Sequence, residues 1–561
     1  MIQRKLEGLQ EPEEELLECA SVAGVKFSPV IVAMVLGRDA EEVEGQCAEL
    51  ASRGTLLRPC SLTEWPDDEV SSWFTFGHSL YQQVLYERIP PSRKARLHRR
   101  VGERLERTFG PSAADRAGEL AHHFLAGRDP ERALVHLQAA AEAALRKSAP
   151  REAAVHLRRG LQLLKTLPET RDHQTREFTL LAMLAPTAIA IEGFAAPDAE
   201  NGFGRACEIG ERLGDSERVS QVILGRAFMH ELRGEYYLTE ELLGQHLEQA
   251  VPQQSPTVAV HADSLMACSL FHQGKFAGAL QRAEHALQIY HAGRDREFLA
   301  PYGENPSVAC QAWAALSLWF LGFPDRAARQ VDHLVAFSEA PDHGFTLSTA
   351  TMYAAHVHQL RRDGACAAQW SERTLRLAQA QGYLYNVSFA KVVKGWADVE
   401  SGNSEIGLAL IREGLAIAES IGAKLDRPYL LALCAEAQLA CGRPAAAFAD
   451  LKEALSLVRA SRAFFYEAEL YRLRAAATLR SGAVNAESEA EADLKTALDV
   501  ARPQGAKSLE LRAATDLSAL LRKQNRVPAA RQILAAPYRL FSEGFQTRDL
   551  QEAGTLLDQL G

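Results

Sequence analysis

The sequence predicts a mainly α-helical protein: a small N-terminal module of three helices and a β-hairpin, then a long array of paired helices. Three observations carry this. Turn glycines recur about every forty residues, with Gly364, Gly402, Gly442 and Gly482 lying 38, 40 and 40 positions apart. A trio of mostly small residues follows such glycines at offsets +5, +9 and +12. It reads Ala279, Ala283 and Ala286 after Gly274, and Ala327, Val331 and Leu334 after Gly322. After Gly402 it is Gly407, Ile411 and Gly414, and after Gly442 it is Ala447, Leu451 and Ala454. These offsets share one helical face, where small side chains let a second helix approach closely. The first ninety residues, by contrast, carry short helices and two strand-like runs.

In chain order, a helix is expected from about Pro12 to Ala23, a short one from Ser28 to Leu36, and a third from Asp39 to Arg53. Asp39 is its N-cap, with Glu42 as the reciprocal capping-box residue. Gly54–Leu57 and Trp73–Phe76 read as strands joined by a polar loop holding Pro59, Pro66, Asp67 and Asp68. Three helices and a hairpin make a winged helix. A reading helix in a DNA groove would need positive charge, yet the third helix carries Asp39, Glu41, Glu42, Glu44 and Glu49 against Arg53 alone. Nucleic acid is therefore disfavoured as a partner, and with it a transcription regulator. A helix ends near Ile89, and Pro91 opens another at its first turn. That helix bears Arg99, Arg100, Arg104 and Arg107, read as a solvated face in preference to a polyanion patch.

The array begins within residues 111–170, where Asp129–His136 and Ala149–His156 are near copies twenty positions apart. Around Ala185 to Asn201 the pattern breaks at Pro186, Gly193 and Pro197, which suggests a bend between sub-arrays. A unit near Asp363 keeps the trio only as Ala368, Glu372 and Leu375, and the unit after Gly482 needs three extra residues before Ala490, Leu494 and Ala497. The segment Arg294 to Pro306 stretches one interval to 48. Turn glycine and helix-pair packing together describe a degenerate tetratricopeptide-like α-solenoid, wound as a right-handed superhelix. The expected divisions are a winged-helix module at 1–92, linking helices and first repeats at 93–185, and the solenoid at 186–561.

Composition narrows the classes. The 561 residues exceed one core, and the formal charge of −10 argues against a dedicated polyanion binder. Nine scattered cysteines without a CxxC pair point to a reducing compartment, the cytoplasm. Neither a signal peptide nor an eighteen-residue apolar run is visible. The sequence holds no HExxH, G-x-S-x-G or strand-borne GxGxxG motif, and no G-x-x-x-x-G-K-[S/T] loop. His122-His123 and His356-x-His358 lack a carboxylate or third histidine at ligand spacing, so no metal site is assigned. No catalytic residue is assigned either.

The run Phe74–His98, FTFGHSLYQQVLYERIPPSRKARLH, resembles the end of the winged-helix module in bacterial signalling ATPases of the STAND type. The blocks Tyr302–Pro306, Arg427–Tyr429, Phe465–Tyr471, Lys507–Ala513 and Phe541–Leu550 are similar to the branch that also carries class III adenylate/guanylate cyclase domains. The resemblance covers nearly the whole chain and implies the regulatory half of such a protein, since the phosphate-binding loop and the cyclase domain are absent from the sequence. It implies ATP or ADP only through a partner or a missing domain, and it gives one residue a nucleotide-related role. His78 would contact the phosphates of a nucleotide held by a P-loop module docked in trans.

The expectation is a non-catalytic interaction scaffold, with a protein or peptide on the concave face of the solenoid and an ATPase module against the winged helix. The alternative is a C-terminal part of an ATP-binding enzyme whose catalytic domains lie outside these residues.

Overall fold

The computed structural model describes residues 9–54, 56–64, 70–110, 116–147, 149–192, 196–250, 256–290, 305–339 and 344–561. Pro66, Asp67 and Asp68 of the expected hairpin loop, Gly193, and the stretch 294–304 lie outside them. The chain forms two compact units, Met1–Ile191 and Glu192–Gly561, and 27 α-helices fall among the described residues.

The first unit opens with α1 (Glu11–Ala23), β1 (Lys26–Phe27), α2 (Pro29–Leu36), α3 (Ala40–Ser52), β2 (Leu57–Glu64) and β3 (Val70–Phe76). The strands form an antiparallel sheet in the order β1-β3-β2, pairing Phe27 with Phe74 and Leu57 with Phe76. The two-residue strand β1 was not expected. It is too short for any alternation to show in sequence, and pairing with β3 alone defines it. Pro59, read as loop, lies inside β2 beside a bulge at Pro59/Ser61, where a residue without an N–H is tolerated. Leu16, Ile31, Val43, Leu57, Phe74 and Phe76 form the core of this module. Asp39 caps α3 as expected, accepting from Glu42 N–H at 3.1 Å. Glu42 gives no return bond, because its carboxylate is taken by Arg38 at 2.5 Å.

The unit continues through α4 (Ser79–Arg88), α5 (Pro91–Phe109), α6 (Ala117–Ala126), α7 (Pro130–Arg146), α8 (Pro150–Leu164) and α9 (Arg171–Glu192). The arginines of α5 are not simply a solvated face. Arg100 donates to Val35 O at 3.0 Å and Arg99 to Gly127 O and Arg128 O at 3.1 and 3.2 Å, satisfying carbonyls at the ends of α2 and α6. Pro186, expected to break the pattern, lies inside α9.

The second unit comprises α10 (Pro197–Leu213), α11 (Ser216–Leu232), α12 (Tyr236–Ala250), α13 (Pro256–His272), α14 (Phe276–Ile289), α15 (Pro306–Phe320), α16 (Pro324–Ser338), α17 (Gly344–Leu360) and α18 (Gly364–Gln381). It ends with α19 (Leu384–Glu400), α20 (Ser404–Ser420), α21 (Arg427–Ala440), α22 (Pro444–Ser461), α23 (Glu467–Ser481), α24 (Ala486–Gln504), α25 (Lys507–Lys523), α26 (Val527–Tyr538) and α27 (Arg548–Gln559). Consecutive helices pair, and from α13 onward the odd-numbered helices also pack on one another, giving two layers. Even-numbered helices bury one stripe. In α22 it is Ala447, Leu451, Ala454, Leu455 and Val458, which includes the expected trio. This is an α-solenoid of tetratricopeptide-like pairs.

One beat was misplaced. Gly364 is the first residue of α18 and is not left-handed; Arg362, at φ 58°, holds that place. Positions 322, 362, 402, 442 and 482 all have positive φ and lie 40 apart. Counted from Arg362, the trio is Ala367, Ser371 and Thr374, all buried, whereas Glu372 is exposed. Arg128 and Asn525 do the same at φ 54° and 61°, leading to Ala133, Leu137 and Ala140, and to Ala530, Leu534 and Pro537.

Candidate functional site

The inner layer was expected to be open to a partner, but its middle is filled by the chain itself. Every residue of α15 is buried except Leu318, and every residue from Thr346 to Leu360 of α17 except Leu347. The physical reason is winding: segments nearly two hundred residues apart meet. Lys424 N–H donates to Leu232 O at 2.9 Å, Ser508 Oγ to Trp319 O at 2.5 Å, and Phe271 packs on Phe465 with ring centroids 5.2 Å apart.

Inside this closure lies a charged network built from one or two side chains of each successive inner helix. Arg512 of α25 donates to Asp549 of α27 at 2.8 Å, to Glu469 of α23 at 3.3 Å and to Leu360 O of α17 at 2.5 Å. Arg472 grips Glu469 with two bonds of 2.8 and 3.0 Å and Asp516 with one of 2.7 Å. Trp396 Nε1 donates to Glu436 at 2.7 Å. At the rim, Arg362 reaches Asp549 at 3.1 Å and Glu552 at 2.7 Å, and Arg548 reaches Glu400 at 2.6 Å.

Burial pushes the Glu469 carboxyl up, but the guanidinium groups of Arg472 and Arg512 more than offset it and hold it at about 2. Burial wins at Glu436, whose carboxyl is raised. Two carboxyls pushed apart would suit an acid–base pair. The space between them is about 50 Å³, however, which holds a few water molecules and no peptide. The network neutralises buried charge and joins distant turns.

A second buried group surrounds Asp426, at φ 57°, which accepts from His272 Nε2 and Tyr385 OH, both at 2.9 Å. Cys268 Sγ stands 3.6 Å from His272 Nδ1, giving a thiol–imidazole–carboxylate row. It is not a nucleophile site. The row is enclosed: His272 is 0% and Cys268 3% exposed, so no substrate reaches the thiol, and the ring lies flat on Tyr236 at 4.3 Å.

The histidines singled out in the sequence have four different surroundings. His78 is exposed and caps α4, its Nδ1 accepting from Leu80 N–H at 3.1 Å. His123 lies between helices, its Nδ1 3.0 Å from His98 Nδ1, while His98 Nε2 meets Tyr86 OH at 2.9 Å. Burial lowers His98 to about 4 and His123 to about 3. His356 is also lowered to about 4 by burial, and it makes no hydrogen bond where it sits against Tyr429 and Phe389. His358, set aside for want of a carboxylate, has one: the turn after α17 brings Asp363 Oδ2 to 3.4 Å from its Nδ1.

The sequence blocks singled out above converge here. Tyr429 packs on Tyr466, and Glu469, Arg512 and Asp549 come one each from the blocks ending at Tyr471, Ala513 and Leu550. Tyr302–Glu304 of the first block lies outside the described residues.

No family profile matches the chain. It is 24% identical over 458 residues to an uncharacterized protein of Rhizobium meliloti (strain 1021), covering 78% of this chain and 43% of that protein's length. Among solved structures, a Rap protein complexed with Competence and Sporulation Factor is similar at TM-score 0.49 and 12% identity, covering 66% of this chain and 98% of that one. A Pyrococcus horikoshii Signal Transduction ATPase with Numerous Domains (STAND) protein with a tetratricopeptide repeat sensor is similar at TM-score 0.35 and 13% identity, covering 98% and 65%. The fold assignment rests on the paired helices and their forty-residue beat. No helix among the described residues is long and apolar enough to cross a membrane.

Proposed function

We propose that the chain is a non-catalytic protein-interaction scaffold whose solenoid is a two-state sensor. The observation that carries it is the latch: Arg362 with Asp549 and Glu552, and Arg548 with Glu400, join turns about 150 to 190 residues apart over an inner layer that holds the buried charged network and an aromatic cluster. Rim ion pairs between partly exposed side chains are individually weak, so such a closure can be released. A protein or peptide that prefers the inner face then competes with latching, and it shifts the population only by its differential affinity for the open state.

The N-terminal module, read as a winged helix, would couple this change to a nucleotide-binding module supplied by another chain or another part of a longer protein. In that coupling His78 is the phosphate contact. With Nδ1 accepting from Leu80 N–H, the neutral ring carries its proton on Nε2, free in its chemistry to donate to a phosphate oxygen. The second reading, favoured by the greater length of the Rhizobium relative, makes the chain the regulatory part of an ATP-binding enzyme.

The test compares proteins captured from cell extract by the full chain with those captured by the chain carrying Arg362→Glu and Arg548→Glu. The opened variant is expected to retain a protein that the latched one holds weakly. Identical captured sets would rule out the two-state sensor. Capture and signalling unchanged on removal of residues 1–100 would end the coupling role.

A further inference from the structure

The turn between α17 and α18 holds a donor set that the latch does not use. His358 is only 9% exposed, yet its Nδ1 makes no hydrogen bond. That atom, a carboxylate oxygen of Asp363 and the thiol sulfur of Cys366 all lie within 4.8 Å of one another. The 3.4 Å from His358 Nδ1 to Asp363 Oδ2 is long for a hydrogen bond. It is close to the edge of a tetrahedron of ligands about 2.1 Å from a central ion, which is about 3.4 Å.

We propose that His358, Asp363 and Cys366 form a site for a zinc-class divalent transition-metal ion, with a fourth position left to water or another ligand. Imidazole nitrogen, carboxylate oxygen and thiolate sulfur are the donors such ions take, and three protein ligands with one open place is the pattern of an exchangeable site. The support around the ligands fits. Asp363 Oδ1 accepts from Cys366 N–H at 3.1 Å, which fixes the carboxylate and leaves Oδ2 turned to the imidazole.

Two charges act on the donors from outside the set: Arg361, which opposes a cation and is bonded to Pro324 O and Asp325, and, more weakly, Asp332 on the facing α16, which favours one. Because the thiolate is the ligand form of cysteine, loading the ion releases the Cys366 proton. The other cluster of this kind among the described residues, Glu131, Asp172 and His173, is different. Both His173 nitrogens are already bonded, to Pro168 O at 2.7 Å and Glu131 at 2.8 Å.

The site spans the residue on which the latch turns. Arg362, at φ 58°, stands between His358 and Asp363 and reaches Asp549 and Glu552. An ion holding the residues on either side fixes the backbone from which that arginine projects.

The experiment is titration of the reduced, metal-free full chain with Co²⁺ alone, followed by displacement with Zn²⁺. The proposal expects one Co²⁺ per chain with a thiolate-to-cobalt absorption band that Zn²⁺ abolishes. Cys366→Ser should remove the band, and His358→Gln should weaken binding by about tenfold or more. Cys60→Ser, which alters an exposed thiol elsewhere, should change neither. Circular dichroism of each variant checks folding, and Cys366→Ser, at a half-buried position, is the decisive one. A band that survives Cys366→Ser at unchanged affinity, or the absence of any thiolate band in the wild-type chain, overturns the site.

Discussion

Gly395 and Gly407 face each other where α19 crosses α20. A Cβ added to Gly407 would stand 2.3 Å from Gly395 O, and one added to Gly414 would stand 2.7 Å from Ser388 O. No side chain can yield there, because the obstacle is backbone. Gly407→Ala should destabilise the chain by about 1–3 kcal/mol in urea unfolding. Gly442→Ala meets nothing within 4 Å but keeps φ 71°, so its effect, about 1–2 kcal/mol, is purely conformational. Gly442→Asn should recover part of it, and equal losses for Ala and Asn would contradict this account.

Buried titratable groups set the response to acid. His98, His123 and His356 are held neutral, at about 4, 3 and 4 against an ordinary 6.5. Unfolded imidazoles therefore bind protons that folded ones refuse, and stability falls as pH drops from 6.5 toward 4. Glu469, at about 2 against an ordinary 4.5, extends the loss as pH falls from 4.5 toward 2. The expected result is a thermal midpoint that declines below pH 6.5 and continues to decline below pH 4.5. In His356→Phe the first decline should be shallower, and a midpoint flat from pH 7 to 4 would refute the assignment.

At the scale of the element, each helix pair from α13–α14 to α25–α26, like α6–α7, turns on one left-handed residue, and the chain uses glycine there at some beats and Arg128, Arg362 or Asn525 at others. Arg362→Gly should relax the backbone by up to about 1 kcal/mol while deleting the bonds to Asp549 and Glu552. Arg362→Lys should retain the strain and lose the geometry. A double-mutant cycle of Arg362 with Asp549 separates the two effects. A coupling energy of zero would mean that the latch contributes nothing at this end.

These same residues explain what could be read in advance. The array was legible wherever glycine marked the turn and Ala or Leu filled the trio, as from Gly442 to Ala454, because residue type there reports conformation directly. At Arg362 the conformation is imposed by helix packing on either side, and nothing in the residue announces it. The nearby Gly364 drew the beat two places too far, and the trio, counted from Asp363, fell one place too far. The network was half legible. Glu469, Arg512 and Asp549 lie in stretches distinctive enough to be singled out, but they are 43 and 37 residues apart, and Arg472, Glu436 and Asp516 lie outside those stretches. Only winding brings them together. The nearness of His358, Asp363 and Cys366 was hidden for a local reason: His358 and Asp363 stand on opposite sides of a turn, which helical spacing does not represent.

At the scale of the second unit, closure makes the inner layer depend on contacts distant in sequence. Arg362→Glu with Arg548→Glu should speed amide hydrogen exchange in α15, α17 and α25 while leaving α7 and α8 of the first unit unchanged, since those lie in a separate compact body. Uniform acceleration in both units would indicate general unfolding instead. Added salt should act in the same direction as the substitutions, because the rim pairs are exposed enough to be screened.

The bond between Ser508 and Trp319 spans 189 residues. At a synthesis rate of about 5–20 residues per second, roughly 10–40 seconds separate the emergence of one partner from that of the other. Throughout that interval the aromatic side of α13 to α17, with Phe271, Trp313 and Trp319, has left the ribosome without its cover. During translation this half-made surface is a natural client for a chaperone, and a slow codon run placed after α17 would lengthen its exposure.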